Sequence, residues 1–314
     1  MGQHGSIAGT VSSVKQRAFD RCFIVGAGAI GSVLGAALTL SNTIDVYLVG
    51  QSPHAQSVGK NGLTLRRQAK KDLHVELPVL SMQRMPPLGA DDLIVLLNKL
   101  PAIETLARDL KTRLQRSTAV IALQNGIGVR SYVAAALGRD VDRGLVFFGA
   151  NSQHSGTVTY YPAAGIRLQA SAVNRAFCRL LPKGLVPGEI SEDFQTMVWK
   201  KLVINCVANP LAGILNISNY DITRPVLNDA KAAIIAEVQA LAAAEGVELN
   251  VTVADMNRYL ASENTPSLVA DLKRHQKTEI EFINGAVVRM AEKHGLPVPA
   301  NKLVVSLVRF LEGR

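Results

Sequence analysis

Lys201, Asn205 and Asn209 recur at intervals of four in the stretch 199–210. On an α-helix that spacing stacks them along one face. Their neighbours Leu202, Val203, Ile204, Val207 and Ala208 are apolar, so a buried polar stripe here must find partners. One cation and two carboxamides suit a polar, carbonyl-bearing ligand; the alternative is a solvated stripe on a surface helix. Asn209 precedes proline, which disfavours α geometry, so the helix is expected to end or bend there. A second set, Ser267, Asp271, His275 and Glu279, is again spaced by four. It falls on a helix expected over 267–293, started by Thr265-Pro266-Ser267. Glu281 is only two residues from Glu279, so the two acids cannot share a face, and His275 reads as a solvated or structural histidine.

Near the N-terminus, Gly26-Ala27-Gly28-Ala29-Ile30-Gly31 follows an apolar run at 22–25 and precedes helical spacing over 32–40. This is strand, tight turn, helix. Gly26 permits the turn, Gly28 lets a pyrophosphate approach the backbone, and Gly31 allows close helix–strand packing. The amides of Ala29 and Ile30 at the helix start then face phosphate charge. Beyond the second strand the chain reads Val49-Gly50-Gln51-Ser52, with no carboxylate to bind a ribose 2′-hydroxyl; Asp45 lies too early. That permits a 2′-phosphate, and Gln51, Ser52 and His54 could donate to it, with Lys60 able to approach. No arginine stands at this spot, so the reading leans to NADP and leaves NAD open.

These residues need a scaffold. Apolar runs at 22–25, 44–49, 93–97 and 119–123 alternate with helix-like sequence, which argues for a parallel, doubly wound sheet. Shorter strands at 145–150, 156–161 and 165–169 suggest antiparallel additions at the sheet edge. Pro182, Gly184, Pro187 and Gly188 mark a linker. Helices are expected at 194–208, 223–245, 252–262, 267–293 and 300–312. The fold class is therefore α/β, a Rossmann-type parallel sheet with edge additions over 21–190 and an all-helical C-terminal domain over 191–314. Residues 1–20 are Gly-, Ser- and Gln-rich and read as a disordered tail.

Composition narrows the function. The 314 residues include 34 Lys+Arg and 25 Asp+Glu, a net charge of +9, with 48% hydrophobic residues. No apolar run approaches the ~18–20 residues of a membrane span. Cys22, Cys178 and Cys206 are too few and too scattered for a disulfide or Cys-rich zinc scaffold, a reduced, cytoplasmic setting fits, and no metal site is expected. The basic residues are dispersed and aromatics are 5%, so nucleic-acid binding is disfavoured and attraction of a small anionic ligand is preferred. Monomer and homodimer are both open.

Together these motifs resemble the ketopantoate reductase (2-dehydropantoate 2-reductase) family of the 6-phosphogluconate dehydrogenase-like superfamily. The resemblance runs from about Arg21 to the C-terminus. It rests most on WKKLVINCVANPL at 199–211, on the block of Ser267, Asp271, Glu279 and Asn284-Gly285, on Gln124-Asn125-Gly126-Ile127-Gly128, and on Lys99. It implies a cytoplasmic NAD(P)-dependent oxidoreductase with catalysis in a cleft between the Rossmann and helical domains. The implied reaction is NADPH-dependent reduction of 2-dehydropantoate, a small anionic 2-keto acid, to (R)-pantoate on the way to pantothenate and coenzyme A. By position Lys201 is the catalytic general acid and Glu279 its acidic counterpart. Asn205, Asn209, Ser267, Asn125 and Lys99 match substrate-binding residues, Lys99 and Asn125 also lying towards the cofactor. The chain departs from the family in lacking a basic residue after the second strand, and in Leu100-Pro101-Ala102, where an aromatic or polar pair is frequent. A reductase of another branched 2-keto acid and a non-catalytic dinucleotide sensor are the alternatives.

Overall fold

The run Cys22-Phe23-Ile24-Val25 offers no polar face to solvent, and such a strand is stable only in a sheet covered on both sides. The computed structural model describes residues 18–261 and 264–313 and places this strand mid-sheet. In chain order the first part comprises β1 (Arg21–Val25), α1 (Ala29–Ser41), β2 (Asp45–Val49), α2 (Pro53–Asn61), β3 (Leu63–Arg67), β4 (Lys70–Val75), β5 (Val79–Leu80), β6 (Asp92–Leu96), α3 (Ile103–Lys111), β7 (Ala119–Ala122), α4 (Val129–Leu137), β8 (Asp142–His154), β9 (Thr157–Gln169), α5 (Ala172–Leu180) and β10 (Gly188–Ser191). Among the described residues the strand order is β4-β3-β9-β8-β7-β6-β1-β2-β5, with β10 beside β9. From β8 through β5 every pairing is parallel. The chain leaves β1 in one direction for β2 and later returns to its other side with β6, so the C-terminal edge of β1 is the topological switch point where ligands lodge.

The edge additions form a larger structure than the sequence reading allowed. β8 pairs with β7 only at its start and then runs antiparallel to β9 as a long hairpin. β3 and β4, which alternation did not single out, complete that side. The breaker-rich stretch 182–188 is not a free linker: Val186 is fully buried, the Tyr160 hydroxyl donates to the Leu185 carbonyl at 2.5 Å, and the Ile166 amide donates to the Pro187 carbonyl at 2.8 Å. Of the tail expected over 1–20, residues 1–17 lie outside the described residues. Phe19 is buried in the core, and Asp20 bonds through its backbone to Asp91 and Asp45, so ordered packing starts before Arg21.

The helical C-terminal domain comprises α6 (Phe194–Leu215), α7 (Asn219–Ile222), α8 (Asn228–Ala244), α9 (Val253–Leu260), α10 (Ser267–Lys273), α11 (Asn284–His294) and α12 (Pro299–Glu312). Two expected helices differ. The one foreseen over 223–245 begins at Asn228, after α7 and a short turn at Pro225–Leu227. The one foreseen over 267–293 breaks after Lys273, where His275 adopts a left-handed φ of 52°, and resumes only at Asn284.

The largest departure is α6, which does not end at Asn209 but continues through Pro210 to Leu215. A proline inside a helix removes one hydrogen bond and leaves the carbonyl four residues earlier without its partner. That carbonyl belongs to Cys206, and the buried Asn284 amide donates to it at 3.0 Å. Asn284 also donates to Asn301 at 2.9 Å, and Asn301 to Glu237 at 2.7 Å. One polar chain therefore joins α6, α11, α12 and α8. Replacing Asn284 with Ala is expected to destabilise the protein by about 1–3 kcal/mol, the cost of an unsatisfied buried acceptor. Urea unfolding at constant m-value measures it, and a loss below about 0.5 kcal/mol would mean that α6 tolerates Pro210 without this bond.

Candidate active site

At the switch point each glycine of the turn has a distinct surrounding. Gly26 has φ +122°, and a Cβ there would run into the Leu97–Asn98 backbone; a Cβ on Gly31 would overlap the Gly26 carbonyl. A Cβ on Gly28 would meet nothing within 4 Å. Two glycines thus serve packing, and the third leaves a clear approach to the backbone. Gly28 caps α1 without any side-chain acceptor, so the first amides of α1, those of Ala29 and Ile30, remain available to an anion. These features fit a dinucleotide pyrophosphate.

The cofactor-selecting segment is less free than the sequence suggested. Gln51 is exposed and donates to Gln83 at 2.7 Å, and Ser52 caps α2 by accepting from the Ala55 amide. His54 turns inward, which corrects its reading as a donor to the cofactor. Its Nδ1 accepts from the Gly156 amide at 3.1 Å, and its Nε2 lies 3.0 Å from the Ser32 hydroxyl. Burial, helped by the charge of Arg274, lowers its pKa. His54 is a neutral strut between α1, α2 and the β8–β9 hairpin.

Asn205 and Asn209 are buried on α6, and Lys201 is half-buried one turn earlier on the same face. Asn205 Nδ2 has no hydrogen-bond partner among the described residues. A buried amide left so costs about 1–3 kcal/mol unless a ligand accepts from it. The Lys201 ammonium lies 5.0 Å from the Phe147 ring centroid and 5.8 Å from that of Tyr259, whose hydroxyl accepts from it at 3.4 Å. Phe147 packs with Val198 of α6 and with Ile127 of the loop after β7, which brings Lys201 towards that loop. The same loop carries half-buried Asn125, and Gly126 (φ +115°) lets its backbone meet the Phe282 carbonyl, where a Cβ would come within 2.7 Å. Buried Arg143 fixes the base of the loop by donating to the Ala122 and Gln124 carbonyls.

Glu279 lies apart from Lys201 in hydrogen bonding. With the helix broken, it no longer continues the face of Ser267 and Asp271, and it sits instead in the turn before α11. There it accepts from the Leu100 amide at 3.3 Å, at the C-terminal edge of β6. Asp271, buried on α10, accepts from Lys99 Nζ at 2.5 Å, and Lys99 also reaches Gln276 at 3.4 Å. Lys99, expected to face the ligands, is thus held by the helical domain. Ser267 is exposed at the start of α10. Glu281 points elsewhere and pairs with Arg289 and Arg309. Burial, reinforced by the charge of Asp271, pushes Glu279 up to about 7 against the pull of the Leu100 amide and Lys99. Sequence reasoning gave Asp271 no role and missed Phe147 and Tyr259, because no spacing links residues so far apart in the chain. Among the described residues no group of three or more His, Cys, Asp or Glu could hold a metal ion, and no helix is long and apolar enough to cross a membrane.

The raised Glu279 pKa has a consequence for stability. Its ordinary value is 4.5 and its folded value about 7, so the folded state binds the proton more tightly than the unfolded chain. The resulting stabilisation is present at low pH and is lost as pH rises through that window. Glu279→Gln keeps an acceptor for Leu100 and removes the buried charge. The variant is expected to exceed wild type by about 1–3 kcal/mol at pH 8 and to match it near pH 4. Chemical denaturation at both pH values measures this, and a variant no more stable at pH 8 would show that the carboxylate is well solvated.

Comparison with known proteins follows the same geometry. Residues 22–171 match the family model "Ketopantoate reductase PanE/ApbA", and residues 193–312 match "Ketopantoate reductase PanE/ApbA C terminal". A 2-dehydropantoate 2-reductase of Archaeoglobus fulgidus is 30% identical over 304 residues, covering 93% of this chain and 98% of the relative. Among solved structures, D-mandelate dehydrogenase with NADH and anilino(oxo)acetate superposes with a TM-score of 0.82 at 25% identity, over 93% of this chain and 98% of that one. A PanE/ApbA family ketopantoate reductase from Ralstonia eutropha JMP134 gives a TM-score of 0.82 at 27% identity, with the same coverage. The sheet with its open glycine turn, the helical domain and both halves of the chain agree: this protein belongs to the ketopantoate reductase PanE/ApbA family.

Proposed function

We propose that the protein reduces 2-dehydropantoate to (R)-pantoate with NADPH, in a cleft between a dinucleotide-binding part (21–190) and a helical part (191–314). The observation that carries this reading is the α6 face: an ammonium with no carboxylate partner among the described residues, followed one turn later by a buried carboxamide with an N–H that finds no acceptor among them. Negative charge grows on the ketone oxygen during reduction, and a fixed cation with nearby amide donors is what stabilises it.

The dinucleotide fits the open side of Gly28 and the uncapped start of α1, and when bound and reduced it supplies the hydride. As the carbon is reduced, the oxygen takes up the carbonyl π electrons and Lys201 gives it a proton, regaining one from solvent. Asn205 and Asn209 hold the hydroxyl end of the substrate, Ser267 binds its carboxylate, and Asn125 lies between substrate and cofactor. Glu279, poised near neutrality, hydrogen-bonds a substrate hydroxyl. Lys99, paired with Asp271, adds a second cation to the edge of the site. The net charge of +9 favours arrival of an anion. The absence of an acid after β2 supports NADPH over NADH, and a cytoplasmic setting suits this chemistry. A second reading, reduction of a different 2-keto acid, is favoured by Leu100-Pro101-Ala102 and by the TM-score of 0.82 to D-mandelate dehydrogenase, the same as to the Ralstonia eutropha reductase.

The test is oxidation of NADPH and NADH with ketopantoate beside a panel of branched and aromatic 2-keto acids. Rapid NADPH oxidation with ketopantoate alone is expected; turnover only with another acid selects the second reading, and binding of cofactor without turnover of any acid rejects both. Lys201→Ala is expected to lower kcat by about 10²–10⁴-fold, and near-normal turnover would remove it as proton donor. Gln51→Asp is expected to move the NADPH/NADH preference at least about tenfold towards NADH, because the new carboxylate repels a 2′-phosphate and accepts from a 2′-hydroxyl. An unchanged ratio of kcat/KM would place the 2′-phosphate elsewhere.

A further inference from the structure

Lys201 is flanked by two aromatic rings. Its Nζ lies 5.0 Å from the Phe147 centroid and 5.8 Å from the Tyr259 centroid, and the Tyr259 hydroxyl accepts from it at 3.4 Å. None of the ion pairs among the described residues involves it, whereas Asp271 is taken by Lys99 and Glu279 by the Leu100 amide. We propose that Phe147 and Tyr259 are positioning residues that bracket the Lys201 ammonium and aim it at the ketone oxygen without neutralising it. The proposal rests on the reading of Lys201 as the proton donor.

The physical argument is one of charge. A ring face attracts a cation through its quadrupole yet carries no net charge. A carboxylate would hold the ammonium more tightly and cancel the field that must stabilise the growing oxyanion. Two rings on a long, flexible side chain restrict it and leave its charge intact.

The bracket is built from distant parts of the chain that meet at one contact. Phe147 lies on β8 next to an irregularity in register between Phe147 and Gly149. Tyr259 lies in the last turn of α9. Asn264 lies against β8, its side-chain amide so close to Gly149 that a Cβ there would come within 2.8 Å of its nitrogen. The Asn264 carbonyl is tied in turn to the Asn219 amide at 3.1 Å. The strand that carries Phe147 and the residues that follow Tyr259 therefore meet where the Asn264 side chain packs on the Gly149 backbone. Phe147 is 6% exposed and Tyr259 42%, so Phe147 is a fixed wall and Tyr259 an outer face that can be changed without opening the core.

The experiment is steady-state kinetics with NADPH and a 2-keto acid that the wild type turns over, on Tyr259→Leu, Tyr259→Phe, Phe147→Leu and Lys201→Ala. Tyr259→Leu is expected to lower kcat by about ten- to a hundredfold, the cost of misaiming a catalytic group, with an unchanged thermal midpoint and KM for NADPH. Tyr259→Phe restores the ring and is expected to restore most of kcat. Phe147→Leu, where it melts cooperatively, is expected to fall as Tyr259→Leu does. Normal turnover by Tyr259→Leu with Lys201→Ala inactive overturns the bracket and leaves the proton donor in place. Equal losses in Tyr259→Leu and Tyr259→Phe also overturn it, because the hydroxyl and not the ring would then matter. Near-normal turnover by Lys201→Ala overturns the proposal together with the reading beneath it.

Discussion

The carbonyl of Cys206 is the constraint around which the helical domain is organised. Pro210 deprives it of its helical partner, and a buried acceptor cannot stay empty without cost. Asn284 answers it, Asn301 fixes Asn284, and Glu237 fixes Asn301 while also accepting from the Ala300 and Asn301 amides at the start of α12. Each bond in the series orients the group that makes the next. Its effect is that α6 stays continuous across 209–210, so Lys201, Asn205 and Asn209 keep one face.

The second constraint is the separation of charges. Lys99, Asp271 and Glu279 meet beyond the end of β6, whereas Lys201 on α6 lies beside Phe147 and Tyr259. Lys99 and Asp271 pair at 2.5 Å, which joins the end of β6 to α10. Glu279, next to that pair and to the Leu100 amide, is left with its charge poorly compensated, and burial raises its pKa towards neutrality. Had Lys201 paired with Glu279, each would have neutralised the other.

The parts legible in the sequence were those that local chemistry dictates. Gly26, Gly28 and Gly31 showed a turn with separate tasks for each glycine, and the structure gives each a surrounding to match. Glu281 does part from Glu279, pairing with Arg289 and Arg309, but in the turn before α11 and not on the helix that the spacing assumed. Illegible were features decided by distant groups. Nothing near Pro210 announces Asn284, 74 residues on, so a local rule ended α6 too early. Spacing by four suggested an unbroken helix through Glu279, but His275 turns left-handed and the chain then folds back to reach Leu100. His54 looked free for a ligand because its partners, Ser32 and Gly156, come from other elements.

The same distinction explains how one scaffold can serve related 2-keto acids. On the proposed function, hydride delivery and charge stabilisation depend on the switch point and the α6 face, the first of them held by close backbone packing at Gly26 and Gly31. Discrimination depends on what fills the remaining space. The unpartnered Asn205 N–H favours a ligand that carries an acceptor to it and penalises one that does not, since the amide would stay buried and unpaired. A substrate hydroxyl placed there is selected by the cost of its absence. An apolar substituent in the same place gains only by the area it buries, a weaker basis for choice. The segment Leu100-Pro101-Ala102 adds no polar side chain to compete for that hydroxyl, so on the proposed function discrimination falls chiefly on the α6 carboxamides and on Glu279.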